Sequence, residues 1–134
     1  MILWYNVESI LEISRQFLEE VMKVAIIGSR NACVDDFSVY LPIGCSEIVS
    51  GGARGIDACA AAFARKQGMK LTEFLPEYSM YGRGAPIVRN RKIVEYADAV
   101  LAFWDGHSRG TKSVIDYCRK IGKPCNTIMM PFVE

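Results

Sequence analysis

Residues 50–57, with the sequence Ser-Gly-Gly-Ala-Arg-Gly-Ile-Asp, have the composition of an anion-binding turn. Small side chains let a ligand approach the backbone, and glycine tolerates the positive φ of a sharp turn between a strand and a helix. The first N–H groups of the following helix, and its dipole, favour a bound anion. Arg54 adds a positive charge, and Asp57 can cap the helix or accept a hydrogen bond from a ligand hydroxyl. The alternative is a tight turn that serves packing alone. The candidate ligand-binding residues of this turn are Ser50, Gly51, Gly52, Ala53, Arg54 and Asp57.

A second turn of this kind, formed by Gly28, Ser29 and Arg30, follows the first apolar run of the chain. Ser29 offers a hydroxyl, and Arg30 offers a forked cation that suits phosphate or carboxylate. Taken alone, Arg30 could equally be a surface arginine after an ordinary turn.

The third polar turn covers residues 104–111. Thr111 and the start of the following helix are predicted to cradle a phosphate or a ribose, and Arg109 can neutralise charge there. Trp104 can stack on a base or simply pack at a strand end. His107 is expected to face solvent, since no fixed carboxylate partner is evident. The candidate residues of this turn are Trp104, Asp105, Ser108, Arg109, Gly110 and Thr111.

A basic helix is predicted just before the fourth strand, with Ile87, Val88 and Val94 expected on its buried side. Its charges can form either a solvated face or part of a ligand site. The candidates for a ligand role are Arg89, Asn90 and Arg91, which precede Lys92.

Strand and helix patterns alternate along the chain. Short apolar runs predict strands at 23–27, 46–50, 71–75, 99–103 and 125–129. Helical spacing predicts helices at 7–21, 34–41, 55–67, 86–96 and 110–120, with a loop at 76–85 as a candidate lid. Right-handed crossovers then give a Rossmann-like three-layer α/β/α fold, with a mainly parallel sheet of about five strands and an N-terminal helix. We expect residues 1–21 to form a helical extension and residues 22–134 to form the domain. Ligands of such sheets bind at the carboxyl ends of the strands, where all three polar turns fall.

Composition restricts the classes of function. The chain has 134 residues and a net charge of +1, so no strong overall field attracts nucleic acid or membrane. Its five cysteines include no Cys-x-x-Cys pair and are accompanied by a single histidine, so no metal site is predicted. We expect reduced thiols in a cytoplasmic protein. No apolar run is long enough to span a membrane.

The three turns and the Arg-Asn-Arg helix together resemble the SLOG superfamily over residues 23–128. This group joins the DNA-processing protein DprA (Smf) with the LOG, or lysine decarboxylase-like, nucleotide hydrolases, and the chain is most similar to short stand-alone bacterial members of the YspA/YpsA-related type. No P-loop pattern and no Gly-x-Gly-x-x-Gly fingerprint occurs. The resemblance implies a Rossmann-like fold and a nucleotide or nucleotide-derived phosphorylated ligand, and no cofactor is required.

Two activities known in the superfamily can be compared with these residues. LOG enzymes carry a glutamate shortly after the third turn, where this chain has Lys112, Ser113 and Val114. Hydrolysis of an N-glycosidic bond is therefore disfavoured, because no such carboxylate can stabilise the ribosyl cation. DprA-like binding of single-stranded DNA is the alternative. We predict a binding or sensor protein, and the apolar N-terminal helix predicts a homodimer.

Overall fold

A computed structural model describes residues 6–11 and 22–132 of the chain. It contains one five-stranded sheet, made of β1 (Met22–Gly28), β2 (Cys45–Ser50), β3 (Lys70–Glu73), β4 (Ala99–Trp104) and β5 (Cys125–Met129). The strand order is β3-β2-β1-β4-β5, and each neighbouring pair is parallel. The predicted Rossmann-like architecture is confirmed.

The helices are α1 (Ile56–Lys66), α2 (Tyr78–Tyr81), α3 (Ala85–Tyr96) and α4 (Arg109–Ile121), and a 3₁₀ turn (Gly82–Gly84) joins α2 to α3. The stretch predicted as a loop at 76–85 therefore contains two short helical turns. Residues 7–11 are also helical, whereas the remainder of the predicted N-terminal helix, 12–21, lies outside the described residues. The division into an extension and a domain stays a prediction.

The apolar core lies on both faces of β1, the central strand. Val24 and Ile26 face the layer that contains α1. Ala25 and Ile27 face the layer that contains α3 and α4. This two-sided burial explains why β1 reads as a continuous β-branched and apolar run rather than as an alternating pattern.

The ends of α4 follow from local chemistry. Ser108 is the N-cap, and its side chain accepts a hydrogen bond from the Thr111 N–H. Gly122 closes the helix in the left-handed conformation, with φ of 75°. This helix therefore begins beside the carboxyl end of β4, which is the position predicted for a helix start that cradles a phosphate or a ribose.

The helix predicted for residues 34–41 is not formed. Phe37 is fully buried and makes edge-to-face contacts with Phe63 and Phe103, at ring-centre distances of 5.5 and 5.3 Å. Asp36 Oδ1 accepts a hydrogen bond from the Ser38 N–H at 2.9 Å, which holds a turn. Such local side chain–backbone bonds compete with helix formation. An irregular connection anchored by one aromatic ring thus stands where a helix was predicted.

Cys33 and Cys59 form a disulfide, with their Cα atoms 6.0 Å apart. The prediction that all thiols are reduced is therefore wrong for this pair. The bond ties the β1–β2 connection to α1, a proximity that only the tertiary fold creates. Cys45, Cys118 and Cys125 are free thiols. The cytoplasmic location stays a prediction, and a disulfide is more typical of an oxidising compartment.

Within residues 6–11 and 22–132, no helix combines the length and the apolar character needed to cross a bilayer. In the same part of the chain, no group of three or more His, Cys, Asp or Glu side chains could hold a metal ion.

Candidate functional site

A cleft of about 430 Å³ opens at the carboxyl edge of the sheet, between β1 and β4. These strands are neighbours, but the chain leaves β1 toward β2 and leaves β4 toward β5, on opposite sides. This is the switch in strand order at which open α/β sheets leave a crevice. We call it the main cleft. The predicted residues that line it are Gly28, Ser29, Arg30, Ala53, Asp57, Arg89, Asn90, Asp105, Ser108, Gly110 and Thr111.

Two further depressions adjoin the main cleft. The glycine basin, of about 350 Å³, is lined by residues 51–54 and shares Arg30, Ala53 and Arg89 with the main cleft. The helix groove, of about 390 Å³, lies between α3 and α4 and is lined by Arg91 and Arg109, among others. The three predicted turns are therefore brought together, while the predicted arginines are divided among three adjoining surfaces.

Ser29 is held at the base of the main cleft. Its N–H donates to the Phe103 carbonyl at 3.1 Å, and its carbonyl accepts from the Ile56 N–H at 3.2 Å. The side chain is buried, and its hydroxyl has no hydrogen-bond partner among the described residues. The Ser29 hydroxyl adds to the effect of the Ser108 and His107 N–H groups in lowering the pKa of the Asp105 carboxyl, but Ser29 and Asp105 do not meet the geometry of a hydrogen bond. A buried hydroxyl that lines a cleft without a partner is a group that a ligand can satisfy.

Gly55 allows the first and second turns to interlock. Its φ is +77°, and a Cβ there would lie 2.5 Å from the Ser29 carbonyl oxygen and from the Arg30 carbonyl carbon. Only glycine combines this conformation with so close an approach. The position of Ser29 and Arg30 therefore depends on a residue of the neighbouring turn.

Asp57 holds the second turn rather than capping α1. Its Oδ2 accepts from the Ala53 N–H at 3.2 Å, and the N-cap of α1, Gly55, has no side-chain cap bond. Burial raises the pKa of the Asp57 carboxyl, an effect partly offset by the N–H groups of Ala53 and Gly51 and by the positive charge of Arg89. Ser50 is also structural, since its buried hydroxyl donates to the Asp57 carbonyl at 3.3 Å.

Arg89 is buried beneath the same turn. Its Nη1 donates to the Gly51 carbonyl, and its Nε donates to Asn90 Oδ1 at 2.8 Å. Burial lowers the pKa of Arg89, and the charge of Asp57 opposes that effect. The buried side of α3 consists of Ala85, Arg89, Ile93 and Val94. The expectation that Ile87 marks this side is wrong, since Ile87 is 51% exposed.

The third turn is fixed by Asp105. Its Oδ1 accepts from the N–H groups of His107 and Ser108, each at 2.8 Å, and these bonds lower the pKa of the carboxyl. Trp104 Nε1 donates to the Ser108 carbonyl at 3.0 Å, so the indole supports the turn and lies outside the lining of the main cleft. Stacking of Trp104 on a base stays a prediction.

Several lining residues were not predicted. Asn31, Pro86, His107 and Phe132 line the main cleft, and Tyr78 lines the glycine basin. The rings of His107 and Phe132 stack, with centres 3.8 Å apart. Phe132 belongs to the tail after β5, and no local sequence signal places it beside the third turn. Asn31, by contrast, directly follows Arg30 and could have been found by extending the first turn.

The fold and this cleft define a Rossmann-like α/β protein with a crevice at its topological switch point. No protein-family model matches the chain, and no curated protein is similar to it. A solved structure of DNA processing protein A from Helicobacter pylori, reported for its unique single-stranded DNA binding mode, is similar in fold with a TM-score of 0.64. The two proteins are 23% identical, and the match covers 89% of this chain and 70% of that chain. At this level of identity, the likeness concerns the fold.

Proposed function

We propose that the main cleft binds a nucleotide, or a nucleotide-derived phosphorylated ligand, through its phosphate. The observation that carries the proposal is the Ser29 hydroxyl, a buried donor that lines the cleft and has no partner among the described residues. A phosphate oxygen would accept a hydrogen bond from it. Leaving such a group unsatisfied costs stability, so a partner is expected when the protein functions.

The cleft around Ser29 carries groups that attract an anion, beside the carboxylates of Asp57 and Asp105. The start of α4, a helix of 13 residues, borders the cleft at Gly110 and Thr111. The Thr111 N–H is bonded to the Ser108 side chain, whereas the Gly110 N–H belongs to the first turn, whose N–H groups have no partner within the helix. The helix dipole adds to their attraction for negative charge. Arg30 is exposed at the cleft and can form two parallel bonds to a phosphate. The volume of about 430 Å³ falls in the usual range for small-molecule sites.

A binding or sensor role is proposed rather than hydrolysis. The two carboxylates of the cleft, Asp57 and Asp105, each accept hydrogen bonds from backbone N–H groups of their own turns. If the Asp57 or Asp105 carboxylate acted as an acid or base instead, the turn that its hydrogen bonds hold would loosen. After the third turn, Lys112, Ser113 and Val114 occupy the stretch in which a LOG-like hydrolase has its glutamate.

Binding of single-stranded DNA is the second candidate. It is supported by the fold shared with the Helicobacter pylori protein and by the exposed arginines around the openings, namely Arg30, Arg54, Arg91 and Arg109. We also propose that the chain belongs to the SLOG superfamily, whichever candidate function holds. The placement of all three motif turns at strand ends supports this membership. The YspA/YpsA-related assignment and the homodimer stay predictions.

The test is a thermal-shift and calorimetric screen with dTMP, AMP, ADP-ribose, NAD and the oligonucleotide (dT)8, using the wild type, Ser29→Ala and Arg30→Gln. Ser46→Ala and Arg65→Gln are matched controls, because both residues are exposed and lie outside the lining of the main cleft. A ligand that binds the native state raises the melting temperature by mass action. We expect at least one nucleotide to do so, with affinity about tenfold weaker in Ser29→Ala, the usual effect of losing a bond to a charged group.

The outcomes separate the candidates. A shift with (dT)8 but with none of the small molecules would support the second candidate and overturn the first. Equal binding by Ser29→Ala and the wild type would contradict the assignment of the cleft. Turnover of any nucleotide by the wild type would contradict the binding-only role.

A further inference from the structure

Two free thiols, Cys118 and Cys125, face the same space between the sheet and α4. Cys118 belongs to the last turn of α4 and is fully buried in the apolar cluster on that side of the sheet. Cys125 is the first residue of β5, and it pairs in register with Val100 of β4, which lies in the same cluster. Residues in register on neighbouring parallel strands present their side chains to the same face. Cys125 therefore faces α4 and packs against the cluster that contains Cys118.

The connection between the two cysteines is short and held by backbone hydrogen bonds. Gly122 ends α4 in the left-handed conformation and turns the chain back toward the sheet. The Lys123 N–H then donates to the Cys118 carbonyl at 2.9 Å. The Val100 N–H donates to the Pro124 carbonyl at 2.9 Å, which seats the start of β5 against β4. These bonds place the first residue of β5 beside the last turn of α4.

The two thiols influence each other's ionisation, which requires that they lie close together. The Cys118 thiol is the largest influence on the pKa of Cys125 and lowers it, with smaller contributions from Thr127 and Arg119 and opposition from burial. The same interaction, together with burial, raises the pKa of Cys118. Cys125 is therefore the thiol of the pair that ionises first, and the thiolate is the form that attacks an oxidant.

The two thiols also differ in their access to solvent. Cys125 is half-buried on an edge strand of the sheet, and its neighbours Pro124 and Asn126 are exposed. Cys118 is 0% exposed. A reachable thiolate with a second thiol beside it is the arrangement in which a first oxidation product condenses to a disulfide. Cys45 offers a contrast within the chain, because it is also half-buried but burial raises its pKa.

We propose that Cys118 and Cys125 form a dithiol site that a hydroperoxide oxidises to an intrachain disulfide. The site is a modification site separate from the main cleft, since neither cysteine lines that cleft. The new bond would fasten the last turn of α4 to the edge strand β5.

The reaction has two steps. The Cys125 thiolate attacks one oxygen of hydrogen peroxide, so that an S–O bond forms, the O–O bond breaks, and hydroxide leaves and is protonated to water. The Cys118 thiol then loses its proton, and its sulfur attacks the sulfur of the Cys125 sulfenic acid. The S–S bond forms, the S–O bond breaks, and the departing hydroxide takes up the proton as a second water. Two thiols are thus oxidised by two electrons, and one hydroperoxide is reduced to two waters.

The experiment treats the folded wild type with hydrogen peroxide, unfolds and alkylates it with N-ethylmaleimide, and analyses the tryptic peptides by mass spectrometry without reductant. Trypsin places Cys118 in peptide 113–119 and Cys125 in a peptide that begins at Ile121, so the new bond is observed as a linked pair of peptides. We expect this pair to form at least about tenfold faster than Cys45 is lost, because the thiolate is the reacting form. Dithiothreitol should restore both thiols.

Three variants assign the roles within the pair. Cys118→Ala should react more slowly at Cys125 and stop at the sulfenic acid, which dimedone traps as an adduct on Cys125. Cys125→Ser should leave Cys118 reduced, because Cys118 is buried. Cys45→Ser is the matched control and should form the linked pair at the wild-type rate. The linked pair in the wild type requires no variant, so it decides the proposal even where a substitution in the core prevents folding.

Several results would overturn the dithiol site. One is that Cys118 and Cys125 stay open to alkylation while Cys45 is oxidised, or that Cys45 and Cys125 are lost at equal rates. Another is a link between two chains, seen as a dimer on a non-reducing gel, in place of the intrachain pair. Oxidation of Cys118 in Cys125→Ser would also overturn it. All of these results leave the nucleotide cleft untouched, because neither cysteine belongs to its lining.

Discussion

The Arg89 guanidinium donates from Nη1 to the carbonyl oxygen of Gly51, and this contact fastens α3 to the turn after β2. Gly51 must be small for the contact to form, since a Cβ there would lie 2.9 Å from Arg89 Nη1 and 2.9 Å from Asp57 Oδ2. A buried cation, a backbone carbonyl and a buried carboxylate thus meet at one point of the site. Arg89 acts by positioning the turn, while the exposed Arg30 is free to meet a ligand.

Replacing Arg89 with methionine is expected to destabilise the fold. The change leaves the Gly51 carbonyl without its donor and deprives the buried Asp57 of the Arg89 charge, a loss on the order of 3 kcal/mol. The melting temperature should fall by roughly 10 °C for a domain of this size. Arg83→Met is the control, because Arg83 is exposed in the 3₁₀ turn. A wild-type melting temperature for Arg89→Met would show that the contact does not support the turn.

The sequence of α3 indicates that Arg89 is buried, although a positive charge by itself predicts exposure. Arg89 lies four residues after Ala85 and four before Ile93, on one line of the helix, and all three are buried. A basic residue on an apolar stripe indicates a buried partner, yet the usual solvation of charges favours the opposite interpretation. The partner, Gly51, is 38 residues away, so only the tertiary structure identifies it.

Other elements were predictable to different degrees. The strands were found because parallel buried strands are short apolar runs bounded by turns, and β1 fits that description. The connection at 34–41 was not, because its conformation depends on the insertion of Phe37 between Phe63 and Phe103 and on the bond from Cys33 to Cys59. These are long-range contacts. The site shows the same contrast between local and long-range features. Its turns were predicted from local sequence, whereas the stacking of His107 on Phe132 at the main cleft was not.

Gly55→Ala is expected to damage the cleft as well as the stability. Alanine strains the backbone at a φ of +77° and places a methyl group 2.5 Å from the Ser29 carbonyl oxygen. The free energy of unfolding should fall by more than about 1 kcal/mol, and nucleotide binding should weaken because Ser29 and Arg30 move. Gly84→Ala is the control: no atom lies within 4 Å of its added Cβ, and its φ is −79°. Calorimetric titration of both variants checks this, and unchanged binding by Gly55→Ala would contradict the interlocked turns.

The disulfide between Cys33 and Cys59 determines how many cysteines can be alkylated before and after reduction. Alkylation of the unfolded protein should modify three cysteines without reductant and five after reduction, because only Cys33 and Cys59 are cross-linked. Mass spectrometry gives both numbers. Cys59→Ser should lower stability by about 3 kcal/mol, as expected for opening a loop with a sequence separation of 26. Cys45→Ser, at a free thiol, should leave the response to reductant unchanged. Five reactive thiols before reduction would contradict the bond.

Glu47 is expected to make the fold sensitive to acid. This buried residue of β2 accepts hydrogen bonds from the Tyr96 hydroxyl at 2.5 Å and the Thr72 hydroxyl at 3.0 Å, and it pairs with Lys70 at 3.3 Å. Burial alone would raise the pKa of Glu47, but these bonds outweigh it and hold the pKa below the ordinary value of 4.5. The ionised form therefore stabilises the native state above pH 4.5, and that contribution is lost as the pH falls through the lower native pKa.

Unfolding by denaturant between pH 7 and pH 3 measures this contribution. The wild type should lose stability below pH 4.5, whereas Glu47→Gln should be less stable at pH 7 and change less on acidification. Asp57 acts in the opposite sense, because its raised pKa means that its protonation on acidification favours the native state, and both proteins share that effect. Glu73→Gln, on the neighbouring strand and exposed, should retain the wild-type profile. Parallel profiles for the wild type and Glu47→Gln would show that another carboxylate governs the acid response.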